Sequence, residues 1–150
     1  MGRAKAKGSE VVIEVAPRPG FRAVGSYTFL DSQITRSGSP FDPALREGQS
    51  LLRRPRHSGS LRVFWDWRRF SVTSSAVVIG RRVDSDFIGL LPPLTSSPSY
   101  TKWDLGWNYR SFHGLSYFGI VENLLNKSYM EAPGFPALKL TFRAGVRIDF

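Results

Sequence analysis

Hydrophobic and polar residues alternate along most of this chain with a period of two. In residues 141–150, for example, Phe142 and Val146 fall on one side, and Arg143 and Arg147 fall on the other. Such alternation indicates a β-strand with one apolar and one polar face. This pattern, together with runs of β-forming residues, predicts seven strands and no helix. The predicted strands are residues 9–16, 21–31, 60–67, 70–82, 102–110, 115–123 and 141–150.

The links between these strands alternate in length. Short links lie near residues 17–20, 66–69 and 111–114, whereas the links at 32–58, 83–99 and 124–139 are long and polar. Short and long links in alternation are typical of a membrane β-barrel with short periplasmic turns and long extracellular loops. We therefore predict an all-β fold, an antiparallel transmembrane β-barrel segment of about seven meandering strands.

Aromatic residues provide a second test of this interpretation. If the C-terminus faces the periplasm, each periplasmic strand end should carry an aromatic side chain at the membrane interface. Every predicted strand except the first meets this condition. The predicted interface aromatics are Phe21, Trp67, Phe70, Tyr109, Phe112 and Phe150.

The formal charge of +9 on 150 residues suggests at first a small basic domain that binds nucleic acid. All of the excess lies in residues 1–83, which carry 15 basic and 6 acidic side chains, and the remainder is balanced. A single-strand binder would place aromatic and basic residues on one face. Trp103 and Trp107 instead alternate with Lys102, Asp104 and Arg110, which argues against nucleic acid as a partner.

The chain offers little reactive chemistry. It has no cysteine, which excludes disulfides, Cys-ligated zinc and a thiol nucleophile. No catalytic or phosphate-binding motif is present, so we expect neither an enzyme nor a cofactor. Asp84 and Asp86, beside Arg82, are interpreted as part of a solvated loop rather than a metal site. His57 and His113 are interpreted as structural.

The C-terminus resembles the signal by which the barrel assembly machinery recognises outer-membrane barrels. Its pattern is polar-x-Gly-x-x-apolar-x-aromatic, and the residues that carry it are Gly145, Ile148 and Phe150. The resemblance implies the assembly machinery as a partner.

Five upstream segments resemble the TonB-dependent outer-membrane receptors, most closely the cobalamin- and siderophore-receptor-like branch. They are SYTFLD at residues 26–31, LRRPRH at 52–57, GRRVDSDF at 80–87, VENLLNKSY at 121–129 and PGFP at 133–136. The resemblance implies active uptake of a scarce nutrient such as a siderophore or cobalamin, in the outer membrane of a Gram-negative cell. It also implies contact with membrane lipid, and with the TonB complex through a plug domain that lies outside this sequence.

Such receptors have a signal peptide, a plug and roughly 22 strands. We see no signal peptide here and no apolar run long enough for a membrane helix. We expect residues 9–150 to be the C-terminal part of the receptor barrel, with residues 1–8 as a lead-in. The chain would then be a truncated gene, a start assigned too late, or one piece of a split receptor.

The strand alternation also predicts which polar side chains face the lumen of such a barrel. These candidates are Arg22, Arg62, Lys102, Asp104, Asn108, Glu122, Arg143 and Arg147. The arginines at 53–56 lie near the outer rim, where they could contact lipopolysaccharide phosphates. Two other classes remain open: a small standalone outer-membrane barrel with a structural or adhesive role, and a soluble basic β-barrel that binds nucleic acid.

Overall fold

The structure is a computed structural model that describes residues 2–39, 41–85, 94–112 and 114–148. Eleven strands and one short 3-10 helix, Pro43–Leu45, form the described chain. No helix in these ranges is long and apolar enough to cross a membrane. The strands are β1 (Arg3–Arg18), β2 (Phe21–Arg36), β3 (His57–Trp67), β4 (Phe70–Ile79), β5 (Arg82–Asp84), β6 (Thr95–Ser97), β7 (Tyr100–Arg110), β8 (Leu115–Glu122), β9 (Met130–Ala132), β10 (Phe135–Pro136) and β11 (Thr141–Ile148).

Seven of these strands form one antiparallel sheet in the order β1-β2-β3-β4-β7-β8-β11. Each strand pairs with the next long strand along the chain, so the sheet is a meander. The prediction of seven antiparallel strands is confirmed. Within the described ranges, β1 and β11 each pair on one side only, so the sheet does not close on itself.

The strand boundaries differ from the prediction at several ends, among them those of β1, β2 and β4. β1 begins at Arg3 rather than residue 9, because Ala4 to Gly8 pair with the outer part of β2 although few of them are apolar. β2 extends to Arg36 for the same reason. β4 ends at Ile79, where the Gly80 amide donates to the His57 carbonyl (2.8 Å) and the chain leaves the sheet. Backbone pairing continues these strands where the side-chain pattern gives no signal.

The register gives the sheet two unlike faces. Leu61, for example, pairs with Gly25 and Ala76, whereas its neighbour Arg62 pairs with Val24 and Ser75. We call the first the apolar face and the second the polar face. Apolar-face side chains are well exposed in this chain by itself, and Ile34 and Ala44 are its only buried hydrophobic residues in the described ranges. A single-layer sheet with no core needs an apolar surrounding to cover that face.

The two ends of the sheet also differ. At one end, which we call the short-turn end, the strands are joined by Pro19-Gly20, Arg68-Arg69 and residues 111–114. At the other, the long-loop end, the links are residues 37–56, 80–99 and 123–140. The β5–β6 hairpin and the β9–β10 hairpin lie in the last two of these links. The predicted alternation of short and long links is therefore present in the structure.

Candidate functional site

The eight predicted lumen-facing residues all lie on the polar face of the sheet. The register shows this by direct pairing: Arg62 pairs with Ser75, and Ser75 pairs with Asp104. Val77, Ile79, Phe118 and Ile120 share the face, so it is polar but contains an apolar patch. The positions that this register assigns to the polar face include Arg22, Arg62, Lys102, Asp104, Asn108, Glu122, Arg143 and Arg147.

Charged side chains on the polar face form a connected network near the long-loop end. Lys102 Nζ lies 3.0 Å from Asp104 Oδ2 and 4.0 Å from Glu122 Oε1. Arg143 Nη2 bonds the other oxygen of Glu122. Towards the short-turn end, Arg22 Nε bonds Glu14 Oε1 at 2.7 Å. The network holds fixed charges of both signs on one face, which suits a hydrated surface that binds polar or charged groups.

Asp84 is the most deeply buried charge at the long-loop end, and its assignment to a solvated loop was wrong. Its side chain is 0% exposed. Oδ1 accepts hydrogen bonds from Arg53 Nε (2.8 Å) and the Ser85 amide (2.9 Å), and Ser97 Oγ lies 3.5 Å from Oδ2. A buried carboxylate is stable only with such partners. Arg53 is 31 residues away in sequence, so the local sequence could not reveal the contact. Asp86 lies outside the described residues.

Arg82 joins the two hairpins of the long-loop end. Its Nη2 donates to the backbone carbonyls of Met130 (2.9 Å) and Glu131 (2.8 Å), and its guanidinium lies 5.6 Å from the Tyr100 ring centroid. The residue is 6% exposed. Its buried Nη1 has no hydrogen-bond partner in the described part of the chain. The β5–β6 and β9–β10 hairpins are thus held together by one side chain.

Asn123 fastens the last long loop to the sheet. Its backbone is left-handed (φ 52°), and the residue is 1% exposed. Its side-chain Nδ2 donates to the carbonyls of Lys127 and Leu138, both at 2.9 Å, and its Oδ1 accepts a hydrogen bond from the Lys127 backbone amide (3.0 Å). The backbone amide of Asn123 donates to Asp104 Oδ1 (2.9 Å). Asn123 lies in the segment 121–129 that resembles the receptor family, but the sequence pattern did not predict that its side chain binds the loop. An asparagine directly after a strand is the available signal, because Asn tolerates this backbone conformation.

A concave space opens between this loop and the polar face. It measures about 520 Å³ and is lined by Lys102, Glu122 and Tyr129, among others. Tyr129 stacks on Tyr100 with ring centroids 4.2 Å apart. Burial raises the pKa of the Tyr129 phenol, so this side chain stays neutral at physiological pH. The space combines aromatic, cationic and anionic walls.

The fold and this sequence match known proteins of one kind. The family model described as the TonB-dependent receptor-like β-barrel matches residues 1–124. This chain belongs to the TonB-dependent receptor β-barrel family. The metal-pseudopaline receptor CntO of Pseudomonas aeruginosa is 28% identical over 149 residues, which cover 90% of this chain and 20% of that receptor.

Solved structures of TonB-dependent receptors share the fold. The ferric-catecholate import receptor Fiu of E. coli K12 superposes with a TM-score of 0.77 at 24% identity, over 99% of this chain and 21% of that one. The P. aeruginosa receptor FpvA bound to heterologous pyoverdines gives 0.78 at 21% identity, over 99% and 20%. The chain therefore spans about a fifth of the length of these relatives. The family lies in the outer membrane of Gram-negative bacteria.

The aromatic residues predicted for the membrane interface lie at the short-turn end, in the part of the chain that the structure describes. On the apolar face, Phe21 pairs with Trp65, Trp67 with Phe70, and Phe70 with Tyr109. Phe112 lies in the last short turn, and Phe150 lies outside the described residues. The prediction omitted Trp65 and Tyr117, which extend the row by stacking on Trp67 (6.4 Å) and Tyr109 (6.5 Å).

The predicted assembly-signal residues lie on both faces of β11. Ile148 pairs with Leu115 on the apolar face, and Gly145 pairs with Phe118 on the polar face. A Cβ on Gly145 would come 2.5 Å from Phe118 Cζ, so the Phe118 ring lies directly over this glycine. A larger residue at this position would therefore require the Phe118 ring to move, whatever the role of Gly145 in assembly.

The basic cluster at residues 53–57 is dispersed by the fold. Arg53 is bound to Asp84, and Arg56 lies 3.6 Å from Asp31 and over the Phe29 ring. His57 Nδ1 hydrogen-bonds Tyr27 Oη at 2.7 Å. His113 lies outside the described residues. Most of the cluster is thus occupied by contacts within the chain.

Proposed function

We propose that this chain forms seven consecutive wall strands of a TonB-dependent receptor that imports a metal bound to an organic chelator. The observation that carries the proposal is the open seven-stranded meander with one apolar and one polar face, which superposes on a fifth of the chain of such a receptor. Two open edges require further strands on both sides, because unpaired backbone groups are not tolerated in lipid.

The substrate class follows from the relatives. CntO is a metal-pseudopaline receptor, Fiu a ferric-catecholate import receptor and FpvA a pyoverdine receptor. The chelators named there are pseudopaline, a catecholate and pyoverdine, and none is the corrin that holds cobalt in cobalamin, which favours a siderophore-like complex over cobalamin. The mixed-charge space lined by Lys102, Glu122 and Tyr129 opens at the long-loop end, where an extracellular chelate would enter.

The two faces take different surroundings in this proposal. The apolar face contacts outer-membrane lipid, and the polar face lines the lumen, where its eight polar candidates hydrate the channel and bond a plug domain. Further partners are lipopolysaccharide at the long-loop end, the barrel assembly machinery through Gly145, Ile148 and Phe150, and the TonB complex through the plug. Within the basic cluster, the exposed Arg54 forms no ion pair or ring contact with the residues that the structure describes.

The face assignment is tested by cysteine labelling, since these 150 residues contain no cysteine and any cysteine elsewhere in the receptor is first changed to Ser. Leu61→Cys and Arg62→Cys are adjacent residues on opposite faces, so each is the matched control for the other. In the assembled receptor in outer membranes, a water-soluble maleimide should label the Arg62→Cys variant and spare the Leu61→Cys variant. Equal labelling of both would contradict a lipid-facing apolar face.

The transport proposal is tested by uptake in a strain that lacks its own metallophore receptors. Cells that express the complete receptor containing this segment should accumulate radioactive metal supplied as the pseudopaline or pyoverdine complex, and only when TonB is present. Uptake of cobalamin instead would refute the substrate class. A standalone barrel predicts that the 150-residue chain alone shows heat-modifiable migration in a detergent gel, and the two open edges argue against that outcome.

A further inference from the structure

Three arginines flank the aromatic row at the short-turn end. Arg18 ends β1, and Arg68 and Arg69 form the turn between β3 and β4. All three are exposed. We call them the short-turn arginines.

Each short-turn arginine lies against an aromatic side chain. The Arg68 guanidinium is 5.5 Å from the Trp67 ring centroid, and the Arg69 guanidinium is 3.4 Å from that of Phe112. Arg18 pairs with Phe21, and it lines a concave space of about 240 Å³ on the apolar face together with Trp65. The Arg68 and Arg69 guanidinium groups therefore adjoin the aromatic band, and Arg18 lies at its edge beside Phe21 and Trp65.

These arginines have no carboxylate partner in the described part of the chain. Arg22, Arg53, Arg56 and Arg143 each form an ion pair with an acidic side chain, but Arg18, Arg68 and Arg69 do not. Asp66, two residues before Arg68, pairs with Ser71 on the polar face, and Glu14, four residues before Arg18, is bonded to Arg22. The short-turn arginines thus present three charges next to the apolar face and form no ion pair with the residues that the structure describes.

We propose that the short-turn arginines bind the phosphate of anionic phospholipids in the periplasmic leaflet of the outer membrane. Guanidinium groups form bidentate hydrogen bonds with phosphate, and arginine stems lie on apolar surface while the charged group reaches the interface. Aromatic side chains such as Trp67 and Phe112, which are 58% and 62% exposed, mark that interface. The inference rests on the proposed contact of the apolar face with lipid.

Lipopolysaccharide is excluded as the occupant by distance. Strand β3 separates the short-turn arginines from the long-loop end, and its 11 residues span roughly 35 Å at the rise of a β-strand. That length matches the thickness of a bilayer rather than of one leaflet. The phosphate donor must therefore come from the leaflet at the short-turn end.

The test measures lipid retention by the complete receptor that contains this segment. The wild type and an Arg18→Gln/Arg68→Gln/Arg69→Gln variant are purified in mild detergent, and phosphatidylglycerol and phosphatidylethanolamine are titrated separately by native mass spectrometry. We expect the variant to lose affinity for phosphatidylglycerol by about fivefold per arginine, on the order of a hundredfold in total, and to change little towards phosphatidylethanolamine. The loss should shrink at high salt because the attraction is screened.

Two controls keep the result interpretable. A variant with Arg36, Arg46 and Arg54 changed to Gln removes three exposed arginines at the long-loop end and should retain phosphatidylglycerol as the wild type does. The Arg18→Lys/Arg68→Lys/Arg69→Lys variant keeps the charge and should retain most of the binding. If the triple Gln variant does not assemble, single Gln variants are measured in its place.

Equal affinity of the wild type and the Gln variants for phosphatidylglycerol would overturn the proposal. So would an equal loss in the long-loop control, because the effect would then be one of net charge. Metal-chelate uptake is measured in the same cells. Loss of lipid binding with uptake retained supports the lipid site alone, whereas absence of uptake in the wild type refutes the proposed transport and leaves the lipid result to stand by itself.

Discussion

Asn123 and Arg68 have nearly the same left-handed backbone, at opposite ends of the sheet. Their φ angles are 52° and 54°. Asn123 at the long-loop end is buried, and its side chain makes three hydrogen bonds to the backbone. Arg68 at the short-turn end is exposed, and its contact is with the Trp67 ring. The same backbone conformation thus carries a buried, hydrogen-bonded side chain at one end of the sheet and an exposed side chain at the other.

The difference extends to the whole of each end. All buried polar side chains of the described chain except Ser116 lie at the long-loop end, where they hold separate loops together. At the short-turn end, tight turns and the backbone ladder suffice, so side chains remain free to contact the surroundings. Long loops need internal bonds to compensate for their conformational entropy, whereas two-residue turns do not.

The largest expected effect comes from removing the buried charge of the long-loop end. Asp84→Ala removes the buried carboxylate that accepts hydrogen bonds from the half-exposed Arg53 guanidinium and from the Ser85 amide, and should cost about 3 kcal/mol of local stability. Hydrogen exchange at the Arg53 and Ser85 amides measures it. Asp31→Ala, which removes an exposed partner of Arg56 at 3.6 Å, should cost no more than about 1 kcal/mol. Similar costs for the two would show that burial at Asp84 has no energetic consequence.

Removing the bonds of Asn123 should have the next largest effect. Asn123→Gly keeps the left-handed backbone but deletes all three side-chain bonds, so we expect a loss of about 2–3 kcal/mol. Hydrogen exchange at the Lys127 backbone amide, which donates a hydrogen bond to Asn123 Oδ1, measures the change. Asn126→Gly is the matched control, since its exposed side chain accepts only the Leu140 amide (3.2 Å), and about 1 kcal/mol is expected.

Gly145→Ala tests the close approach of the Phe118 ring to Gly145. The added Cβ meets the Phe118 ring, and we expect a cost of about 1–3 kcal/mol in urea unfolding of the receptor. In Gly25→Ala the added Cβ makes only ordinary van der Waals contacts, 3.8 Å from the Ser60 carbonyl oxygen and 3.9 Å from Leu61 Cδ1, and the substitution should be neutral or stabilising by about 0.5 kcal/mol. Phe118→Ala added to Gly145→Ala should remove the clash. If unfolding recovers in this double variant but the assembly rate does not, Gly145 acts in the assembly signal as well as in packing.

The smallest effect is expected at Arg68. Arg68→Gly removes the strain of a left-handed backbone, about 1 kcal/mol, and also removes a cation–π contact of similar energy. Because the two effects oppose each other, the net change in unfolding free energy should lie within about 0.5 kcal/mol. The same substitution type thus costs several times more at Asn123. A loss at Arg68 as large as that at Asn123 would remove the distinction between the two ends.

Much of the fold was predictable from the sequence because alternation reports directly on the two faces. The seven strands, the polar face that contains Arg62 and Asp104, and the aromatic row that contains Trp67 and Phe70 all follow from this period. The positions at which the strands end do not follow from this period. Ala4 and Lys5 pair with β2 through backbone groups alone, and such pairing leaves no trace in side-chain type.

The sequence by itself determined the class of fold and which side chains share a face, since a period of two is a local property of the chain. Only the tertiary structure decided which loops are bound to one another. Arg53 meets Asp84, Arg82 meets the carbonyls of Met130 and Glu131, and Phe118 covers Gly145, across separations that range from 27 to 49 residues. Such contacts depend on strand register and on loop paths in three dimensions, which no local pattern encodes.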